Sequence, residues 1–217
     1  MNRHSQPMAN RAIKRNFRPK GDRITPSIQQ SLRFLQHFLK SPQSVGSVVP
    51  SSPALVKALL TEIDWEASHV IAELGGGTGI VTRAINQLRV PASSFLCFEK
   101  NPKMRRDLAG QFPDVLLEAD AFAIRDSLER HQLMSLDCVV CGLPLVNFPR
   151  GKREALLTEV HDLLRPGGVF VAFQYTRRLR PALVTTFDQL ESRYIWRNLP
   201  PAYVFTCIKS PFRLCHF

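Results

Sequence analysis

From residue 69 onward, short apolar runs alternate with amphipathic stretches. V-I-A-E-L, F-L-C-F-E and L-D-C-V-V-C are rich in Val, Phe and Ile and show little polar alternation, as expected of strands covered on both faces. The pattern predicts strands at 69–74, 95–99, 115–118, 136–141 and 169–175. It predicts helices at 79–88, 102–111, 124–131 and 153–164, the last closed by Arg165-Pro166-Gly167-Gly168. Strand alternating with helix is the rhythm of an α/β domain with a mainly parallel sheet. The tail departs from it. A helix is predicted over 183–191, then strands over 193–197 and 203–209 joined by Asn198-Leu199-Pro200-Pro201-Ala202, a hairpin-like pair without a crossover helix.

Ahead of the alternating region, Ser52 and Pro53 supply the cap and first position of a helix predicted over 53–63. Before it, S-P-Q-S-V-G-S-V-V-P-S-S-P (41–53) is too rich in Pro, Ser and Gly for regular structure. A further helix is expected from about Thr25. Ile28, Leu32, Leu35 and Leu39 form one stripe of it, and Phe34 and Phe38 widen the apolar face. Such a helix packs on a core or lies in a lipid interface, and the pattern fits both. Residues 1–23 are polar and basic, with Pro7, Pro19 and Gly21, and read as a disordered arm.

Charge sharpens this division. The net charge of the 217 residues is +11, and residues 1–40 hold nine Lys or Arg against Asp22 alone, a surplus of +8. The body is nearly balanced, and the front attracts polyanions: an anionic membrane surface or RNA. No apolar run approaches the roughly 20 residues of a membrane span, and no signal-peptide pattern opens the chain, so a cytoplasmic location is expected. Cys138 and Cys141 form C-x-x-C within a strand, where i and i+3 point to opposite faces, so buried, reduced thiols and no metal site are expected.

The chemistry gathers around A-E-L-G-G-G-T-G-I-V (72–81). A glycine-rich turn at the carboxyl end of the first strand of a parallel sheet lies where such sheets bind ligands. The spacing is E-x-G-x-G-x-G, not the G-x-G-x-x-G of a dinucleotide turn, and the lysine of a phosphate-binding loop is missing. Glu73, just ahead of the glycines, repels a pyrophosphate and suits a cationic ligand. Glu99, about 20 residues past the last glycine, is placed to accept both hydroxyls of a ribose. Asp120, after the third strand, is placed to accept an exocyclic amine, with Ala121 and Phe122 beside it to sandwich a base. Together these ask for an adenosine bearing a cationic amino-acid tail and no phosphates. S-adenosylmethionine meets that description.

The order E-L-G-G-G-T-G, F-E, E-A-D-A, C-G-L-P-L and L-R-P-G-G over residues 69–209 resembles the class I S-adenosylmethionine-dependent methyltransferases. The resemblance implies a Rossmann-like, seven-stranded, mostly parallel sheet with an antiparallel last strand, an N-terminal helical extension, and S-adenosylhomocysteine as product. The division is then a basic arm (1–23), N-terminal helices and a substrate- or membrane-facing segment (24–63), and the donor-binding domain (64–217). Gly75, Gly77, Gly79, Glu99, Lys100, Asp120, Ala121 and Gly142 fall where the donor binds, and Glu73 where it holds the turn or the methionine amino group.

For the methyl acceptor, G-L-P-L-V-N-F-P (142–149) is informative. Ribosomal RNA adenine-N6 dimethyltransferases carry an Asn-led motif here with an aromatic ring that stacks on a flipped base. Gly142 and Leu145 stand in those two places. The stretch instead resembles the bacterial soluble-type phospholipid N-methyltransferases, as do F-L-K-S-P-Q-S-V-G-S-V-V-P-S-S (38–52), L-R-P-G-G-V-F-V-A-F-Q-Y (164–175) and N-L-P-P-A-Y-V (198–204). That resemblance implies N-methylation of phosphatidylethanolamine, towards phosphatidylcholine, by a peripheral membrane enzyme. Another aminolipid, such as ornithine lipid, is the alternative beside RNA. Methyl transfer from a sulfonium needs a neutral amine in line with the methyl carbon. Tyr175 is the candidate to orient it or help deprotonate it, and Asn147 to hold the amine or the glycerophosphate. Leu143 and Pro144 are candidates to line the acceptor, and Arg177 and Arg178 to bind a lipid phosphate.

Overall fold

A computed structural model describes residues 51–210. The basic arm and the helix expected from Thr25 lie outside the described residues. The elements are α1 (Pro53–Leu60), β1 (Val70–Leu74), α2 (Ile80–Leu88), β2 (Ser94–Phe98), α3 (Pro102–Gln111), β3 (Leu116–Glu118), α4 (Ile124–Arg130), β4 (Leu136–Cys141), α5 (Arg150–Leu163), β5 (Leu164–Gln174), α6 (Arg180–Thr186), β6 (Gln189–Ile195) and β7 (Ala202–Ile208). The strands form one seven-stranded sheet in the order β3-β2-β1-β4-β5-β7-β6. Strands β1 to β5 pair in parallel, and β7 runs antiparallel between β5 and β6. This is the Rossmann-like arrangement with an antiparallel last strand.

Successive strand residues feed opposite faces. Ile71, Phe95, Cys97, Cys138, Val140, Val171 and Val204 meet Leu55 and Leu59 of α1, Ile85 of α2 and Leu108 of α3. Ala72, Leu96, Phe98, Val139, Cys141, Phe170 and Phe205 meet α4, α5 and α6 through Ile124, Leu128, Leu156, Val160 and Leu183. Both faces are therefore covered, which is why the strands read as continuous apolar runs. The C-x-x-C thiols split between the two cores as expected, and burial pushes both up to about 12. Among the described residues, no helix is long and apolar enough to cross a membrane.

Two elements differ from the sequence pattern. Arg165-Pro166-Gly167-Gly168 does not separate α5 from the strand but lies inside β5. The register with β4 slips between Leu136 and Cys138, and Gly167 N–H donates to Lys209 C=O at 2.8 Å, so the edge of β7 holds the irregular segment in the sheet. The helix expected over 183–191 stops at Thr186. Phe187 turns extended and stacks its ring on Phe170, centroids 5.2 Å apart. The chain then runs on as β6, paired along its length with β7. Residues 193–195 of it fall within the strand that the pattern predicts over 193–197, while residues 189–191 fall in the predicted helix, because on an exposed edge strand they carry no alternation that marks a strand.

Candidate functional site

The strand order reverses between β1 and β4, and the crevice at that switch point, outside the carboxyl ends of the strands, is the binding place of open α/β sheets. The loops after β1 and β4 touch there. Gly142 N–H donates to Leu74 C=O at 2.8 Å, and a Cβ on Gly142 would sit 3.2 Å from Gly75 O. Gly75 has φ +91°, and a side chain on it would meet Leu143 Cδ2 at 3.1 Å. Gly77 has φ +54°, which by itself favours glycine, and the space a Cβ would enter holds no atom within 4 Å. The turn therefore presents open backbone to the crevice. Gly79 closes it and leads into α2.

The neighbouring strands complete the rim. Gly75 and Gly76 N–H groups donate to Phe98 C=O, which ties the turn to the end of β2. Glu99 follows at once. Its Oε2 accepts from Gly77 N–H at 2.8 Å and its Oε1 from Asn101 N–H at 2.7 Å. Two backbone donors thus fix the carboxylate, and its remaining lone pairs can accept hydroxyls. Lys100, next along, is exposed. Glu99 N–H donates to Glu118 C=O, drawing the end of β3 alongside. Asp120 caps the short turn Ala121–Ala123, accepting from Phe122 N–H at 3.0 Å. Ala121 is buried beneath it. Phe122 is exposed, with its ring 5.6 Å from Phe148 and Lys152 Nζ 5.7 Å above it.

Glu73 behaves differently from the rim acids. It is 1% exposed and lies beneath the glycine turn. Burial raises its pKa to about 7, against hydrogen bonds from the Thr82 hydroxyl and the Cys97 thiol, the latter 3.4 Å from Oε2. Of the two roles expected of it, this placement supports holding the turn. Burial beside this acid pushes the Cys97 thiol well up, so it stays a neutral donor.

On the acceptor side, Leu143 and Pro144 begin the loop after β4, and Asn147 ends the turn Leu145–Asn147 exposed to solvent. This turn packs on the turn Arg177–Leu179 that follows β5, which brings Asn147 and the Arg177–Arg178 pair to one end of the sheet. Tyr175 is half-buried, and its ring meets Phe173 edge-on with centroids 6.0 Å apart; Phe173 in turn reaches toward Gly142. Arg177 lies over the Tyr203 ring at 4.9 Å, and Arg178 is exposed.

Two residues outside the sequence expectations support this rim. Gln174, buried at the end of β5, donates from Nε2 to Leu143 C=O at 2.9 Å and holds the loop after β4. Its signal is a lone amide in the run V-F-V-A-F-Q. Asn198, 3% exposed, accepts from Ser52 N–H at 3.0 Å and donates to Pro200 C=O at 2.7 Å, so the β6–β7 loop grips the chain at the start of α1. The polar residue opening N-L-P-P marks the loop, but not its distant partner.

Comparison with known proteins agrees with this fold. Residues 72–170 match the family described as "Methyltransferase domain". An ornithine lipid N-methyltransferase from Singulisphaera acidiphila is 31% identical over 183 residues, which cover 80% of this chain and 93% of that protein. Among solved structures, the O-methyltransferase TomG from Streptomyces achromogenes, in complex with S-adenosylmethionine, has a TM-score of 0.60 at 15% identity, covering 83% of this chain and 89% of that one. An O-methyltransferase from Bacillus cereus, in complex with S-adenosylhomocysteine, has a TM-score of 0.58 at 13% identity, covering 86% and 93%.

Proposed function

Because this chain belongs to the class I S-adenosylmethionine-dependent methyltransferases, we propose that it N-methylates the amine headgroup of an aminolipid at a membrane surface. The observation that carries the aminolipid reading is the 31% identity to an ornithine lipid N-methyltransferase across 93% of that protein's length. The loop G-L-P-L-V-N-F-P supports phosphatidylethanolamine as acceptor, and the relative supports ornithine lipid as the second reading. An RNA base finds less support: Gly142 and the fully buried Leu145 offer neither an amide nor a ring for it. The basic arm supports peripheral docking on an anionic leaflet, where each near-surface Lys or Arg contributes roughly 1 kcal/mol.

The residues at the switch point fit the donor: open space before Gly77, a backbone-fixed carboxylate at Glu99, and an acid with apolar neighbours at Asp120. Bound there, S-adenosylmethionine supplies an electrophilic methyl group on a sulfonium. Glu99 accepts the ribose hydroxyls. Asp120 accepts the exocyclic amine, and Ala121 and Phe122 pack on the base. Gly77 lets the backbone approach the donor, Gly75 and Gly142 let the loops after β1 and β4 meet beside it, and Gly79 packs against Leu108 and Phe112 where α2 begins, with Lys100 at the rim. Tyr175 orients the acceptor amine and helps draw off its proton, Asn147 holds the amine, Leu143 and Pro144 line its approach, and Arg177 and Arg178 hold the anionic part of the headgroup. The rate comes from positioning and electrostatics.

The test is methyl transfer from radiolabelled S-adenosylmethionine to phosphatidylethanolamine vesicles doped with anionic lipid, to ornithine lipid, and to structured RNA in parallel. Label in the lipid extract is expected, and its migration gives the acceptor and the number of methyls. Label in RNA alone overturns the reading.

A further inference from the structure

The β6–β7 loop carries an exposed surface that donor binding does not use. β7 runs antiparallel to both neighbours, so β6 points the same way as β5, and the loop at its end lies at the carboxyl edge of the sheet with the candidate site. Trp196 is 70% exposed and Leu199 58%, with Tyr194 beside them on β6 also exposed. Large apolar side chains are mostly buried in a folded domain, and three exposed ones gathered at one loop end mark a candidate docking surface. Cations surround it. Arg197 lies 5.3 Å from the Trp196 ring centroid, and Arg177 stacks on Tyr203, whose ring is 4.9 Å from that of Tyr194. Arg178, next to Arg177 in the chain, is exposed, whereas Arg193, which alternates with Tyr194 along β6, is neutralised by Glu62.

Resting on the aminolipid reading, we propose that the loop around Trp196 and Leu199 inserts into the headgroup region of an anionic lipid surface and sets the site's open edge against the membrane. The chemistry of the patch selects this occupant. Tryptophan and tyrosine are the side chains that settle at the membrane–water interface, with an apolar body and a polar tip. Arginine beside them pairs with lipid phosphates. A basic patch repels the chain's own basic arm, whose first 40 residues carry +8, so the arm is a poor cover for it. A nucleic acid would use the Trp196 ring and the arginines but gains nothing from Leu199. The position is also right. β6 is three strand spacings from β4, about 14 Å, so a headgroup held at this loop is within a lipid's reach of the acceptor side. The firm junction of the loop to Ser52 through Asn198 keeps the patch in one orientation to the sheet.

Trp196 itself reports the outcome, because the chain holds two tryptophans and the other, Trp65, is anchored by its Nε1–H to Leu60 C=O at 3.2 Å. In full-length Trp65→Phe protein, vesicles of phosphatidylethanolamine and phosphatidylglycerol should shift the Trp196 emission to shorter wavelength, and acyl-chain-brominated lipids should quench it. Neutral vesicles should do neither. The Trp196→Ser/Leu199→Ser protein should bind the anionic vesicles at least about tenfold more weakly, with calorimetric donor binding as the check that it is folded. Vesicle binding by sedimentation with unchanged Trp196 emission overturns the proposal. So does a Trp196 response to structured RNA without one to vesicles. Methylation of aminolipid in detergent micelles, run alongside, separates the two failures. If lipid is methylated while Trp196 ignores vesicles, the docking surface is wrong and the function stands. If no aminolipid is methylated in micelles or vesicles, the functional reading fails on its own.

Discussion

Replacing Glu73 by Gln tests the buried acid beneath the glycine turn. The carboxyl has an ordinary value of 4.5 and titrates near 7 in the fold, because burial disfavours its charged form more than the Thr82 and Cys97 hydrogen bonds favour it. Between those two values the folded protein binds a proton that the unfolded chain does not. Folding is therefore favoured as pH falls through that window and disfavoured as it rises, by about 3 kcal/mol from end to end. Above about pH 7 both states are ionised and the slope vanishes; below about 4.5 both are protonated. Glu118 and Asp137 work the other way. Burial raises each, but Arg130 and His131 on Glu118, and Val70 N–H and Arg165 on Asp137, outweigh it, so their stabilisation is lost only in more acid solution. The difference between wild type and Glu73→Gln cancels these common contributions. Urea unfolding at steps from pH 4.5 to 8 should show the wild type gaining about 3 kcal/mol on the variant as pH falls. A difference that stays flat across the range would show that Glu73 is ionised in the fold, and the account of a neutral acid under the turn would fail.

Four further perturbations address the rim and its supports. Glu99→Ala removes an acceptor fixed by Gly77 and Asn101, and should weaken S-adenosylmethionine binding about 10–100-fold by calorimetry; an unchanged Kd takes Glu99 out of the site. Gly76→Ala places a Cβ 2.5 Å from Cys97 Sγ and 2.9 Å from Leu108 Cδ1, both buried, and should cost about 1–3 kcal/mol in thermal unfolding; in a Cys97→Ala background the loss should shrink, and an equal loss refutes the clash. Asn198→Ala frees Ser52 N–H and Pro200 C=O, and should cost about 1–3 kcal/mol and speed hydrogen exchange at the start of α1; protection unchanged at Ser52 contradicts the clamp. Tyr175→Phe should lower kcat about 100-fold while donor affinity holds; full activity would take the Tyr175 hydroxyl out of the chemistry and leave its ring packed against Phe173.

The parts legible in the sequence are those whose cause is local. Asn101 and Pro102 mark the start of α3, and Asn101 Oδ1 accepts from Lys103 and Met104 N–H groups. Ser52 and Pro53 mark α1 in the same way. The glycine turn and the acids Glu99 and Asp120 could be ordered along the chain because each follows its own strand. What escaped is decided by partners far away. The first half of β6 is strand rather than helix because β7 offers it an edge, with Leu190 opposite Cys207, and its own exposed residues say nothing of that. The Arg165–Gly168 segment belongs to β5 because Lys209 pairs with it. Glu73 meets Cys97 because β1 and β2 pair in that register, which fixes the acid beneath the turn rather than in the crevice.

The bond from Ser52 N–H to Asn198 spans 146 positions and orders events during synthesis. At about 5–20 residues per second, Ser52 is made roughly 7–30 s before Asn198. Throughout that interval the start of α1 lacks its clamp, so α1 takes its final place only after nearly the whole sheet has been made.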